Sequence, residues 1–212
     1  MGREGNFVFL AAGLLLLLST ADRAALAQDD KAIARVVAQR GVVTALQGTV
    51  PRAAHLGAML FQGDRIVTGP ESRIRIELPD QSSLSIGADS DIQLSEYLRD
   101  GEGRTIEAVL SLLRGIVRAT LALGERPRDF EIKTETVVAS VRSTDWVVEA
   151  RENRTSVFVV TGNVKVAVLD GGAEVDLDEG FGTDVEFGST PSTPKRWGAG
   201  RVDDVLARTR VP

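Results

Sequence analysis

The chain has 212 residues, 30 acidic against 25 basic, and a net charge of −5. Mild acidity without a basic stripe argues against a nucleic-acid partner. The absence of cysteine and the presence of one histidine exclude disulfides, thiolate metal sites and a cysteine-borne lipid anchor, and leave His55 as the sole imidazole for catalysis.

The chain opens on Arg3 and an uncharged stretch from Gly5 to Ala21, followed by Ala25-Leu26-Ala27. A short positive start, a short apolar run and a small-residue exit predict a secretory signal over 1–27, cut after Ala27, with no transmembrane span left after cleavage. The expected product is periplasmic or secreted.

From Ile33 the chain reads as short strands. "ARVVAQRGVVTAL" holds two apolar runs broken at Gly41. "SRIRIEL" alternates, with Ile74, Ile76 and Leu78 opposite Arg73, Arg75 and Glu77; "SSLSIG" and "SDIQLSEYL" continue the two-residue period of half-buried strands. "GPES", "LPDQSS" and "RDGEGR" are turns by composition. "TIEAVLSLLRG" carries Ile106, Val109, Leu110 and Leu113 at helical spacing, but the β-like "GIVRATL" that follows favours a strand. Farther on, "TGNVKVAVLDGGAEVDLDEGFG" alternates strands and glycine corners. A loose repeat, glycine followed within two positions by a β-branched residue, recurs at Gly41, Gly115 and Gly162 and suggests corners that open new strands. "GSTPSTPKRWG" then reads as a linker, so the main β-domain is expected over 28–187, with a short tail, helical over "AGRVDDVLARTR", completing 188–212. The predicted class is all-β, a solenoid-like (β-helix-like) stack of short strands, with an antiparallel β-sandwich as the alternative.

Chemistry is sparse. His55 lies in turn-like "PRAAHLGAML" with no partner pattern. Asp89 with Asp91, and Asp176, Asp178 with Glu179, are carboxylate groups, but none has calcium-loop spacing, and they read as solvated strand edges. "GDRIVTG" lacks the ending of a phosphate loop. No catalytic, metal or cofactor set emerges. "TVVASVRSTDWVVEA" places an arginine and an aspartate in strand-like sequence. On strand parity Val138, Ser140, Arg142, Thr144, Trp146 and Val148 fall on one face and Val141, Ser143, Asp145 and Val147 on the other, while "RST" itself reads as a local break. Arg142 is then an internal tie, because a buried guanidinium must be paired. The alternative is a binding set of Arg142, Asp145 and Trp146.

From about Gly41 to Phe187 the ordered motifs resemble a FecR-family domain. They are "GAMLFQGDRIVTGPESRIRIELPDQSSLSIG", "LRGIVRATL", "FEIKTETVVASVRSTDWVVE", "VVTGNVKVAV" and "VDLDEGFG". The positions matching the family pattern are Gly63, Asp64, Thr68, Pro79, Asp80, Gly115, Val117, Arg118, Arg142, Thr144, Gly162 and Val164, expected to be structural. Ser143 and Gln81 stand where the family commonly has glycine. The resemblance implies an extracytoplasmic β-domain that in its best-known members relays an iron–siderophore signal through a transmembrane helix to a cytoplasmic anti-sigma segment. Six residues precede the apolar stretch here, so that relay is not expected of this polypeptide. The resulting expectation is a non-catalytic binding or scaffold module of the cell envelope, with an envelope protein or polysaccharide as partner and no nucleic acid. The alternatives are a carbohydrate-active enzyme using Asp176, Asp178 and Glu179, and an accessory component of iron-uptake signalling.

Overall fold

In the computed structural model the described residues are 32–100, 105–122, 129–141, 144–169 and 171–212. The expected signal segment, Arg142, Ser143 and the "GEGR" part of the turn at 101–104 lie outside them. The described part is all-β with one short helix, as the alternation predicted. In chain order the strands are β1 (Ala34–Arg40), β2 (Val43–Gln47), β3 (Val50–Ala53), β4 (Met59–Leu60), β5 (Arg65–Thr68), β6 (Arg73–Glu77), β7 (Ser83–Ile86), β8 (Asp91–Arg99), β9 (Thr105–Thr120), β10 (Asp129–Lys133), β11 (Val137–Val141), β12 (Asp145–Arg151), β13 (Arg154–Thr161), β14 (Asn163–Val168), β15 (Glu174–Asp178), β16 (Phe181–Glu186) and β17 (Lys195–Arg196), followed by helix α1 (Ala199–Arg208).

Pairing organises them into two ladders. The first runs β4–β1–β6–β7–β9–β12–β13–β16–β17. The second runs β3–β2–β5–β8–β9–β10–β11–β14–β15. Strand β9 belongs to both: Thr105–Arg114 pair in the second and Gly115–Thr120 in the first. The result is one connected mixed sheet that does not close, with β9–β10 as the parallel pairing.

Alternate residues of both ladders feed one apolar cluster: Val36, Ile74, Leu84, Val117, Trp146 and Val157 from the first, Ala45, Ile66, Ile92, Leu110, Ile132 and Val164 from the second. The chain passes between ladders at corners, and at some of them the inward parity switches. In β9 the inward residues are Ala108, Leu110 and Leu112 before Gly115, then Val117 and Ala119 after it. The same switch separates Val157 and Val159 from Val164 and Val166 across Gly162, and Ala34 and Val36 from Val43 and Ala45 across Gly41. The three glycines of the loose sequence repeat are therefore ladder-switching corners, all with positive φ.

One sequence reading, the face assignment over residues 136–150, needs correction. Residues 136–150 are not one strand. β11 ends at Val141 in the second ladder and β12 starts at Asp145 in the first, so face assignments do not carry across the break. Val137, Ala139 and Val141 point inward on one side of it, and Trp146, Val148 and Ala150 on the other. The segment after Phe187 packs back on the β-structure, with Trp197 and Val205 buried against Ile116, Val147 and Phe158 on the outside of the first ladder.

Candidate functional site

The described motif residues are used by the frame. Gly63 (φ 85°) turns the chain into Asp64, whose fully buried carboxylate accepts the Phe61 N–H (2.7 Å) and both terminal nitrogens of Arg52. Thr68 Oγ1 donates to Gly87 O (2.7 Å) and accepts the Ser90 N–H (2.9 Å), tying two turns together. At Pro79–Asp80 the Asp80 carboxylate accepts the Ser82 N–H (2.9 Å), and Gln81 holds φ 68° without being glycine. The turn thus keeps the left-handed shape for which the family commonly uses glycine. Thr144 Oγ1 donates to Asn163 O (3.0 Å), while Val117 and Val164 are core.

Gly115 is required by space as well as by conformation. Its φ is 97°, and a Cβ there would lie 2.2 Å from Ser90 Oγ and 2.4 Å from Ser90 Cα. That close approach lets Ser90 Oγ accept the Ile116 N–H (3.0 Å). Arg118 grips Asp145 through two hydrogen bonds, Nε at 2.8 Å and Nη2 at 2.5 Å. Asp145, suspected as a ligand contact, therefore has an internal partner across β9 and β12. Trp146 is 0% exposed and lies in the core, with its indole N–H buried and unpartnered. Trp146 presents no surface, and the Asp145 side chain keeps 15% exposure.

The residues weighed for catalysis do not converge. His55 is exposed and its Nδ1 faces Ala53 O at 3.2 Å. Asp89 sits in a turn at φ 53°, whereas Asp91 is buried and held by Arg65 (Nε at 2.6 Å). The reading of this pair as solvated edge residues is thus wrong for Asp91. Among the described residues no cluster of three histidine, aspartate or glutamate side chains could hold a metal, and no helix is long and apolar enough to cross a membrane.

The outer faces of the two ladders differ. On the first, α1 docks through the apolar group just named. Trp197 stacks on Phe158 (centroids 4.8 Å apart), with the Arg201 guanidinium 3.5 Å from the indole centroid. Gly182 makes room, since a Cβ there would lie 2.5 Å from the indole. A polar rim surrounds this contact. Arg208 donates to Glu149 (2.6 Å), Arg73 Nη1 to Arg210 O (3.1 Å), and Arg201 and Arg154 converge on Asp184. Burial alone would raise the Asp184 carboxyl pKa. Hydrogen bonds from Arg201, Ser156 and Arg154, with the Arg201 charge, more than offset this and hold it far below the usual carboxylate range.

On the second ladder a groove of about 520 Å³ crosses the outer face. Its axis is a row of facing residues, Glu131, Ser140, Lys165 and Asp176, one from each of β10, β11, β14 and β15. Val141, Val164, Thr144, Asn163 and Asp129 complete the lining. Lys165 Nζ reaches Glu174 (2.9 Å) and Asp176 (3.3 Å), and those hydrogen bonds raise its pKa. Asn163 Nδ2 donates to Asp178 (2.7 Å) and Ser140 Oγ to Glu131 (3.3 Å). The groove offers acceptors, a hydroxyl, an amide and an apolar floor. Among the described lining residues no nucleophile stands hydrogen-bonded to a base. Of this row, sequence reasoning singled out Asp176 alone. The signal for Glu131, Ser140 and Lys165 was alternation within three separate strands, and their alignment depends on pairings that alternation does not reveal.

Residues 64–165 match the family model described as FecR protein. Two crystal structures of a protein described as a candidate anti-sigma factor from Parabacteroides distasonis ATCC 8503 are similar in fold. One aligns with TM-score 0.55 at 17% identity, over 67% of this chain and 64% of that one. The other gives 0.54 at 17% identity, over 67% and 63%. The chain thus spans just under two thirds of the length of these neighbours, and the likeness is one of fold. No curated protein matches the chain.

Proposed function

We propose, from the match of residues 64–165 to the FecR family model, that the protein is an exported, non-catalytic module of the bacterial cell envelope that binds another protein in a signalling assembly. The family match carries this reading. The fold shared with a candidate anti-sigma factor supports a regulatory setting, with a protein as the partner class. The described motif residues lie at corners and internal ties, which supports recognition by the outer surface, where a groove opens on the second ladder. Among the described residues three carboxylates and no aromatic side chain line that groove, so it suits a peptide better than stacked sugar rings. The repeated crossing between ladders at glycine corners supports a solenoid-like frame over an antiparallel sandwich. The apolar stretch and Ala25-Leu26-Ala27 support export with cleavage before Gln28.

The test is cross-linking and capture from the envelope of the native organism. The expected result is a protein partner whose yield falls when Glu131 and Lys165 are both changed to alanine. Capture of polysaccharide alone, or glycan hydrolysis that Asp176→Asn abolishes, would overturn the reading.

A further inference from the structure

A ladder presents unpaired backbone groups at its ends, and folded proteins protect such edges with proline, brevity or charge. Among the described residues the two ladders have four ends. β4 and β17 are two residues long. β3 is interrupted by Pro51. β15, Glu174–Asp178, is a five-residue strand without proline, paired on one side only, with β14.

The register identifies its free groups. Val168 donates its N–H to Ala173 O (3.1 Å), and Ala167 faces Glu174. With the alternation of an antiparallel pair, residues 173, 175 and 177 bond to β14, and the N–H and C=O of Glu174, Asp176 and Asp178 point to the open side. Their side chains stand on the groove face, where among the described contacts Lys165 reaches Glu174 and Asp176, and Asp178 is met by the neutral Asn163 amide. Val175 and Leu177 turn the other way, Leu177 fully buried and Val175 packed against the core.

We propose that β15 is a strand-addition site for an extended partner segment that alternates basic and aliphatic residues. This deepens the protein-partner reading and rests on it. An added strand would satisfy the open backbone groups. Its basic side chains would meet Glu174, Asp176 and Asp178 across the pair, and its aliphatic ones would extend the core beyond Val175. A second copy of β15 is disfavoured as the occupant, because pairing would set three carboxylates against three others.

The probe is a capped octapeptide of alternating lysine and valine, with alternating glutamate and valine as the counter-probe. Hydrogen exchange followed by NMR reads the amides individually. With the lysine peptide, the amides of Glu174, Asp176 and Asp178 should slow about tenfold or more, while those of Val175 and Leu177, already in the ladder, should not. Asp176→Pro removes an N–H that β14 does not use, so it should keep the melting midpoint and weaken binding at least about tenfold. Should that variant fail to fold, Glu174→Lys with Asp176→Lys should exchange the preference to the glutamate peptide. Unchanged edge amides, equal response to both peptides, or a folded Asp176→Pro that binds as well as the parent would each overturn the site. Sedimentation showing a dimer that Asp176→Pro abolishes would also overturn it, by making a second copy the occupant. The peptide assay is independent of envelope capture. A partner captured equally by the parent and by Asp176→Pro removes this site and keeps the binding-module reading. A parent that captures no protein removes that reading instead, and leaves the edge to be decided by the peptide.

Discussion

Asp64 and Arg52 are an unequal pair: the carboxylate is fully buried, whereas the arginine side chain keeps 32% exposure. Arg52→Ala strands an ion in the core, and breaking a buried pair in this way costs about 3–5 kcal/mol. Asp64→Ala instead leaves Arg52 with access to water and orphans chiefly the Phe61 N–H, a cost of about 1–3 kcal/mol. Urea denaturation of the two variants should therefore rank Arg52→Ala as the less stable. Space decides a second contrast. Gly63 and Gly115 both have positive φ, but nothing lies within 4 Å of a Cβ at Gly63, while one at Gly115 runs into Ser90. Gly63→Ala should cost about 1–2 kcal/mol of backbone strain; Gly115→Ala should lose far more and shift the thermal midpoint accordingly. The need for glycine at 115 was legible from the motif, and its reason was not. The partner of Arg118 was also hidden, because Asp145 lies 27 positions away and reaches it only through the β9–β12 register.

At the level of elements, β9 shows how periodicity misleads. Ile106, Val109, Leu110 and Leu113 imitate a helical stripe, yet Ile106 and Leu113 are exposed, and the true inward set is Ala108, Leu110 and Leu112. Alanine carries little apolar signal, so the two-residue period was masked. The helical tail was visible in the sequence. Its docking was not, since the surface it covers is assembled from Ile116, Val147 and Phe158 on three strands. This docking has a predictable acid sensitivity. Asp184 has its pKa depressed by Arg201, Ser156 and Arg154, so its contribution is full above the ordinary aspartate value and declines as pH falls below about 4. The two tryptophans report separately, Trp146 from the core and Trp197 from the strap. In Trp146→Phe the emission of Trp197 should move to the red on acidification at a higher pH than the emission of Trp146 does in Trp197→Phe. Asp184→Asn should weaken the docking already at neutral pH and remove this component of its acid sensitivity.

For the whole molecule, partners distant in sequence dominate. β9 must find β7, β8, β10 and β12 before either ladder is complete. Such topology predicts refolding in milliseconds to seconds rather than microseconds, measurable by stopped-flow dilution from urea. The all-β class and the corner glycines could be read from sequence because each is a local property. The shared strand could not, because nothing in "TIEAVLSLLRGIVRAT" announces that its halves pair with different neighbours. The parity switch at Gly115 has an evolutionary and engineering consequence. The two halves of β9 run half a period out of phase, and the corner holds that offset. With the corner's switch retained, deleting exposed Arg114 would put Val117 and Ala119 on the outward parity, whereas a two-residue insertion at the same place would keep them inward. Length changes at this corner should therefore be tolerated in pairs. The two-residue insertion should retain a cooperative melt, and the single deletion should lose it.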